Sequence, residues 1–481
     1  MSIAHSPTEK SSLFTEETWK QFANRIEDNF ELKKYPQFDP YFNFPKEKNR
    51  LKEVLAGHSG KSVANHSFLP FVKIIVKTPR FKYQEDQGGE KMNLTAKQRE
   101  QFHEFEIKPR PISFASHFDT YLYAYYSFVL TEKYQLKIRE KGFDECVLAY
   151  RTDLDGKSNI QFAKEAFEQV KALMAKGPCT TIALDIKGYF DSIDHQLLKK
   201  RWCDLINRHE LPADQYKVYR SLTNYSYASK NSLLKHFGVD LAKRKSKEEH
   251  WRTLLDLIPD EIAGKGFKEK FGLLRERDLI VTNKPKEEGE HLTRKGIPQG
   301  SSISAFLSNL YLFDFDQHFH SLSKTMGFVY RRYCDDLLFI CPSAMSKEIQ
   351  KEVLTEIDKC GLKIQTNKTE LIEFKKNSKG VIRAFDRKKI EYKSAELNSA
   401  NEGSFYKNLQ YLGFEFNGTN VYIRPGSLSR YFRKMRGRIT KTIMMARGKN
   451  SKSNEIFRAQ LYHRYTHLGK KNFLTYAHRA S

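Results

Sequence analysis

The sequence predicts an α+β protein built from several lobes, and three observations lead there. Short apolar segments with strand character recur along the chain, at Phe71–Lys77, Phe102–Ile107, Thr180–Ile186, Phe328–Cys334 and Leu337–Cys341. Longer segments with helical spacing separate them, at 113–140, 158–175 and around Ile303–Tyr311. The length of 481 residues exceeds what one hydrophobic core organises at roughly 100–200 residues per domain.

Residues 1–65 are polar with interspersed aromatics, as in Tyr35–Pro45, and predict a helical extension followed by an irregular strap. The strands 71–77 and 102–107 flank a polar tip, Gln84–Glu100, that contains Gly88 and Gly89. Ser158 is placed to cap the helix that follows it. Thr180–Ile186 is an apolar strand whose end carries Asp185, and Ser192–Trp202 reads as a helix capped by Asp191 or Ser192. From about 203 to 290 the chain is mixed, charged and mostly helical. Ile303, Phe306, Leu307, Leu310 and Tyr311 then fall on one helical face after Pro298–Ser302. Two apolar strands bracket Asp335-Asp336 at a tight turn, and the tail beyond Gly426 is basic and helical.

Composition narrows the function. The 35 Phe and 25 Tyr exclude a wholly disordered chain, because they supply apolar area to bury. The densest apolar run, Tyr121–Leu130, is half the ~20 residues a bilayer needs, so no membrane association is expected. Lys and Arg number 83 against 58 Asp and Glu, a formal charge of +25. That excess points to phosphate-rich partners, because each neutralised phosphate releases a condensed counterion. Basic residues cluster at Lys73, Lys77, Arg80 and Lys82, at Lys243, Arg244, Lys245 and Lys247, and at Arg430, Arg433, Lys434, Arg436 and Arg438. The six cysteines are dispersed, without a Cys-x-x-Cys pair, which argues against a structural zinc site and for a reducing, cytoplasmic compartment. No repeat of 20–50 residues is present.

The chemistry concentrates in three carboxylates. Adjacent Asp335 and Asp336 at a hairpin tip repel one another and need a cation or solvent to remain ionised together. Asp is also an ordinary turn residue, so the pair alone decides little. If the strand ending in Asp185 lies beside the hairpin, three hard oxygen donors converge, a set suited to Mg²⁺. Two such ions about 3.5–4 Å apart would stabilise the attacking and leaving oxygens of a phosphoryl transfer.

The order of motifs resembles the palm of a reverse transcriptase. Thr181–His195 is similar to the first catalytic motif, and Lys295–Ser302 with its helix to the second, which touches template and incoming nucleotide. Tyr333-Cys334-Asp335-Asp336 matches the family's signature. Gly361–Glu370 resembles the motif whose lysine lies near the triphosphate, Leu409–Phe416 the primer-grip hairpin, and Lys108–Ile112 the fingers motif with its triphosphate-binding arginine. The resemblance runs from about 70 to 440 and implies a right-hand polymerase: an N-terminal extension at 1–65, fingers at 66–178, a palm with an antiparallel sheet at 179–425 carrying a helical insertion at about 203–290, and a helical thumb at 426–481.

Residue roles follow from that resemblance. Asp185 and Asp335 correspond to the principal ligands of two Mg²⁺ ions, with Mn²⁺ as an alternative, and Asp336 to the supporting carboxylate. Phe190 stands where the family places a steric gate against a ribose 2′-OH, favouring dNTPs; otherwise it is a core ring. Gln299 would contact the incoming nucleotide, or is a polar residue at a helix start. Lys368 could donate a proton to pyrophosphate, or is simply solvated. Arg110, and secondarily Arg151, could fork onto phosphates, or form a surface ion pair. Leu412, Gly413 and Phe414 correspond to the primer grip, and Arg430, Arg433, Lys434 and Arg436 to a nucleic-acid-binding thumb face.

About 55 residues follow Gly426, room for a thumb but not for an RNase H or integrase domain of ordinary size. The chain therefore resembles the compact bacterial enzymes, of the retron, abortive-infection and, above all, defence-associated types. That likeness implies a bacterial cytoplasmic enzyme of anti-phage defence, a structured noncoding RNA as template or cofactor, a cDNA product, and leaves room for a homo-oligomer. Two other classes stay open: an intron maturase-like RNA-binding protein, and a non-catalytic scaffold with a polymerase fold.

Overall fold

The structure, a computed structural model, describes residues 11–31, 35–82, 104–238, 253–260, 264, 266–283, 286–288, 291–293, 295–393, 396–448, 455–456, 458–470 and 472–480. The tip expected at Gln84–Glu100 and the basic cluster Lys243, Arg244, Lys245 and Lys247 lie outside these residues. The chain divides into two compact units, each discontinuous in sequence, so the expected boundaries at 65, 178 and 425 are not the boundaries of these units. The first unit comprises Met1–Asp144, Gly188–Phe313 and Cys360–Leu362; the second comprises Glu145–Lys187, Asp314–Lys359 and Lys363–Ser481.

In the first unit, the helices Glu16–Asp28 and Phe44–Ala56 pack on the long helix His117–Glu140. The seam is aromatic: Phe22 meets Tyr125 edge-on at 5.3 Å, and Phe44 meets Tyr121 at 5.1 Å. Such pairs add to area burial because a ring's positive edge faces another's negative face. The long helix begins later than the spacing predicts. Residues up to Phe114 remain in a strand, and Ser116 caps the helix by accepting from the Asp119 N–H at 3.1 Å. The two strands expected at 71–77 and 102–107 are also longer: Phe71–Lys82 pairs antiparallel with Glu104–Phe114.

The segment expected to be mostly helical contributes two strands to the same sheet. Ser226–Ser229 joins Phe71–Lys82 in parallel, and Ile280–Thr282 closes the edge. Behind the sheet lies a core that includes Phe38, Val72, Ala228, Leu254 and Phe271. The helix expected at Ser192–Trp202 is a single turn, Tyr189–Ser192, followed by the helix His195–Leu205. Its cap is Asp194, whose carboxylate accepts from the Leu197 N–H at 2.9 Å; extended Ile193 separates the two helical pieces.

The second unit is organised by a five-stranded antiparallel sheet: β1 Cys179–Asp185, β2 Val329–Tyr333, β3 Asp336–Pro342, β4 Glu370–Lys376 and β5 Ile382–Asp386, in the spatial order β5-β4-β1-β3-β2. Side chains alternate across it. Cys179, Leu338, Ile340, Ile372 and Phe374 meet Ala163, Phe167 and Val170 of the helix Asn159–Met174, which Ser158 caps as expected. Phe339 points the other way, onto Phe319 at 5.0 Å and Tyr330 at 4.9 Å. The tail forms the helices Pro425–Ala446, Ala459–Tyr465 and Phe473–Ala480, where Tyr431 stacks on Phe473 at 4.8 Å.

One buried ion pair ties β2 to the helix Phe313–Met326. Arg332 and Asp316 are both fully buried; Nε donates to Oδ1 at 2.7 Å and Nη2 to Oδ2 at 2.5 Å, and the Tyr330 hydroxyl donates to Oδ1 at 2.7 Å. Replacing one partner leaves the other charged, buried and uncompensated. Asp316→Ala is expected to lower unfolding free energy by ~3–5 kcal/mol in urea titrations. The double variant Asp316→Leu/Arg332→Met, which removes both charges, is expected to lose less than the single one.

Candidate active site

Three carboxylates meet at one end of the second unit's sheet. β1 runs antiparallel to β3 in a register that sets Asp185 opposite Asp336. The backbone continues the contact: the Ile186 N–H donates to the Asp335 carbonyl at 3.1 Å, and the Gln365 N–H to the Asp185 carbonyl at 2.8 Å. Asp335 sits in a two-residue turn, since Tyr333 pairs directly with Asp336. A turn this tight between right-twisted strands needs a positive φ. Here Cys334 adopts it, at φ 59°. Arg332, the arginine of the buried ion pair, donates from Nη1 to the Cys334 carbonyl at 3.1 Å and so holds the turn.

The electrostatics reflect the crowding. Loss of hydration in the protein raises the Asp335 carboxyl, and the charge of Asp185 raises it further. Asp336 is open to solvent on one edge, yet the surrounding protein dehydrates its charged form. Asp335 and Asp185 add like-charge repulsion, so that its pKa is pushed up to about 7. Lys368 and Arg424 pull the other way. Lys368 comes from the turn Thr366–Lys368 just before β4, and its ammonium forms an ion pair with the Asp185 carboxylate.

Three carboxylates at one end of the sheet, two of them with raised pKa and the third paired with an ammonium, would suit a hard divalent cation. Asp185, Asp335 and Asp336 are the residues that would hold it.

The remaining sequence candidates fall in different places. Arg110, Phe190 and Gln299 all belong to the first unit. The Ser113 N–H donates to the Gln299 carbonyl at 2.8 Å, and the Ile297 N–H to the Phe190 carbonyl at 2.9 Å. The loop Gly296–Gly300 therefore bridges the strand bearing Arg110 and the turn bearing Phe190. Gly300 is required there: at φ +119°, an added Cβ would lie 2.8 Å from Ile112 Cγ2 and 2.9 Å from the Ser113 carbonyl. Arg110 and Gln299 are exposed and Phe190 is half-buried.

Arg151 is engaged elsewhere. Its side chain is 1% exposed and donates to both Asp153 oxygens at 2.8 and 2.6 Å, an ion pair internal to the second unit. Leu412 and Gly413, both at positive φ, form the turn of the hairpin Leu409–Tyr411/Phe414–Phe416, while Phe414 is buried in the core. Arg430, Arg433, Lys434 and Arg436 lie exposed on the helix Pro425–Ala446.

Two participants escaped sequence reasoning. Arg424, whose N–H donates to the Gly413 carbonyl at 3.0 Å, bears electrostatically on Asp336. Tyr411 is buried beneath the site with its hydroxyl unpartnered among the described residues, and both burial and the Asp336 charge raise its pKa. Arg424 carries no local pattern that would have flagged it, and Tyr411 lies within the hairpin motif Leu409–Phe416, where only burial marks it out.

These features define an α+β fold whose acidic centre lies at one end of a five-stranded antiparallel sheet, the arrangement of a polymerase palm. Residues 260–416 match the family described as "Reverse transcriptase (RNA-dependent DNA polymerase)". The match includes Gln299, Asp335, Asp336 and Lys368, while Asp185 lies upstream of it. No curated protein matches. Among solved structures, a C-terminally truncated apo telomerase from Candida tropicalis is 11% identical, with 73% of this chain and 57% of that chain covered at a TM-score of 0.36. The fuller apo telomerase of the same organism is 14% identical, covering 90% and 59% at 0.35. Telomerase from Candida albicans in complex with a fragment of telomeric RNA is 10% identical, covering 89% and 61% at 0.33. The chain thus spans less than two thirds of the length of each. No helix among the described residues is long and apolar enough to cross a membrane.

The raised Asp336 pKa gives a signed expectation. A carboxyl that binds its proton more tightly in the folded state than in the unfolded one stabilises the fold at low pH, and that contribution is lost as pH rises from about 4 toward 7. In EDTA, the melting temperature of the protein is expected to fall between pH 5 and pH 8. The fall should be smaller in Asp336→Asn; an equal fall in both proteins contradicts the assignment.

Proposed function

We propose that this protein is an RNA-directed DNA polymerase that makes cDNA from an associated structured noncoding RNA. The observation that carries the proposal is the placement of Asp185, Asp335 and Asp336 together at one end of the sheet, with Lys368 paired to Asp185. The family match over residues 260–416 supports the same reading.

In this reading the three carboxylates hold two Mg²⁺ ions, or Mn²⁺ in their place. When bound, such ions supply charge stabilisation to the attacking and leaving oxygens of phosphoryl transfer. The chain's own residues do the rest. Lys368, an ammonium beside Asp185, is the proton donor to the departing pyrophosphate. Arg110 offers a planar guanidinium to the dNTP phosphates, and Gln299, presented on the glycine-bounded loop, contacts the incoming nucleotide. Phe190, half-buried on its turn, presses against a ribose 2′-OH and selects deoxyribonucleotides. The exposed cations of the helix Pro425–Ala446 hold the duplex backbone. The resemblance of its motifs to those of compact bacterial enzymes supports a role in anti-phage defence in a bacterial cytoplasm.

Primer extension with Mg²⁺ and dNTPs tests the activity. Asp185→Ala and Asp335→Ala are each expected to abolish extension without lowering the melting temperature, because each removes a ligand and relieves like-charge repulsion. Normal extension by either variant refutes the site, and absence of extension by the wild-type protein on its co-purified RNA refutes the function.

The gate has its own readout. Phe190→Ala is expected to raise ATP incorporation relative to dATP, and an unchanged ratio assigns Phe190 to packing alone.

A further inference from the structure

The first unit holds a second concave site, built from elements that the proposed polymerase chemistry does not use. The helices His195–Leu205 and Ala213–Thr223 pair through a hydrogen bond from Trp202 Nε1 to Gln215 Oε1 at 2.7 Å. Beside them runs the loop 61–70. Between these elements lies a cleft of about 550 Å³, and a second of about 390 Å³ continues from it, the two sharing Ser62 and Asn65.

The lining is cationic. Lys199, Lys217 and Arg220 face the larger cleft against one carboxylate, the exposed Glu210. Among the described residues none of the three cations has a carboxylate within ion-pair distance. Arg50 and Lys61 of the smaller cleft are matched by Glu47 and Glu53 at 4.0 and 3.5 Å. Lys199 and Lys217 are half-buried, and partly dehydrated cations without counter-charges are costly unless an anion joins them.

An aromatic completes the set. Tyr216 is 42% exposed, one residue from Lys217 and four from Arg220 on the same helix, and the Lys199 ammonium stands 5.4 Å from its ring centroid. A second observation points to a ligand. Ser62 is 3% exposed, lines both clefts, and its hydroxyl has no hydrogen-bond partner among the described residues. A buried hydroxyl left unsatisfied costs about 1–3 kcal/mol, and a water, or a small rotation toward a phosphate oxygen bound in the cleft, supplies the missing partner.

We propose that this groove binds the phosphodiester backbone of a single-stranded nucleic acid. Lys199, Lys217 and Arg220 take up phosphates, Ser62 donates to a phosphate oxygen, and a base stacks on Tyr216. The groove shares no residue with the carboxylate centre and does not rest on its chemistry.

Its test is binding, carried out on the full chain with EDTA and without dNTPs, so that failure of the polymerase reading and failure of this one are distinguishable. A fluorescein-labelled, 4-thiouridine-substituted 12-nucleotide RNA is titrated by anisotropy from 50 to 200 mM salt and then photocrosslinked. Crosslinked peptides are expected to include residues 210–220. Lys199→Gln/Lys217→Gln/Arg220→Gln is expected to raise Kd on the order of tenfold and to flatten the log–log salt slope by about 2, since each contact on a single strand contributes about 0.7. Ser62→Ala is expected to weaken binding without lowering the melting temperature, as it removes a hydroxyl that has no partner within the protein. A DNA oligonucleotide of the same sequence reports whether the 2′-OH is read, and equal affinity identifies a backbone site. Crosslinks confined to other segments, an unchanged slope in the triple variant, or saturation by free ATP with no dependence on strand length overturns the proposal.

Discussion

The acidic centre depends on a buried ion pair that lies outside it. Two carboxylates at adjacent positions, with a third across the sheet, repel one another and would splay a turn held only by its own hydrogen bonds. Arg332 supplies the restraint. Its guanidinium is fixed by two hydrogen bonds to Asp316, leaving Nη1 to grip the Cys334 carbonyl within the turn. Its backbone carbonyl meanwhile accepts from the Leu148 N–H at 2.9 Å. An arginine buried with its counter-charge is an expensive device compared with an apolar pair, and its value lies in geometry: a planar fork with two fixed ends can aim a third bond.

The carboxylates in turn act on everything around them. They draw in Lys368 from the turn before β4 and are offset by Arg424 from beyond the hairpin. Proton affinity, ion pairing and the affinity for a hard cation are therefore one property of the site, expressed differently according to which positive charge is present.

Two kinds of nucleotide recognition are proposed for this chain, and they differ in construction. The loop Gly296–Gly300 is placed by backbone hydrogen bonds and by the absence of a Cβ at Gly300, so its geometry is rigid. The groove near Ser62 is lined by long, flexible cations on two helices and one exposed ring, a construction suited to a strand of any sequence.

The sequence by itself determined the local chemistry. Apolar runs ending in Asp185 and flanking Asp335-Asp336 were legible because strand propensity and a turn-forming acidic pair are short-range signals; the Ser158 cap was legible for the same reason. Tertiary structure decided what depends on non-local pairing. Ser226–Ser229 and Ile280–Thr282 become strands only because the edge of Phe71–Lys82 offers them partners. The cap falls on Asp194 rather than Asp191 or Ser192 because extended Ile193 ends one helical piece and Asp194 begins the next; the same region pairs with Lys295, about a hundred residues away. Arg151 looked like a phosphate ligand, yet its guanidinium closes on Asp153, two residues on. Asp316, Arg424 and Ser62 carry no local pattern at all. Their roles arise from what the folded chain brings within a few ångströms of them, and sequence spacing does not encode that.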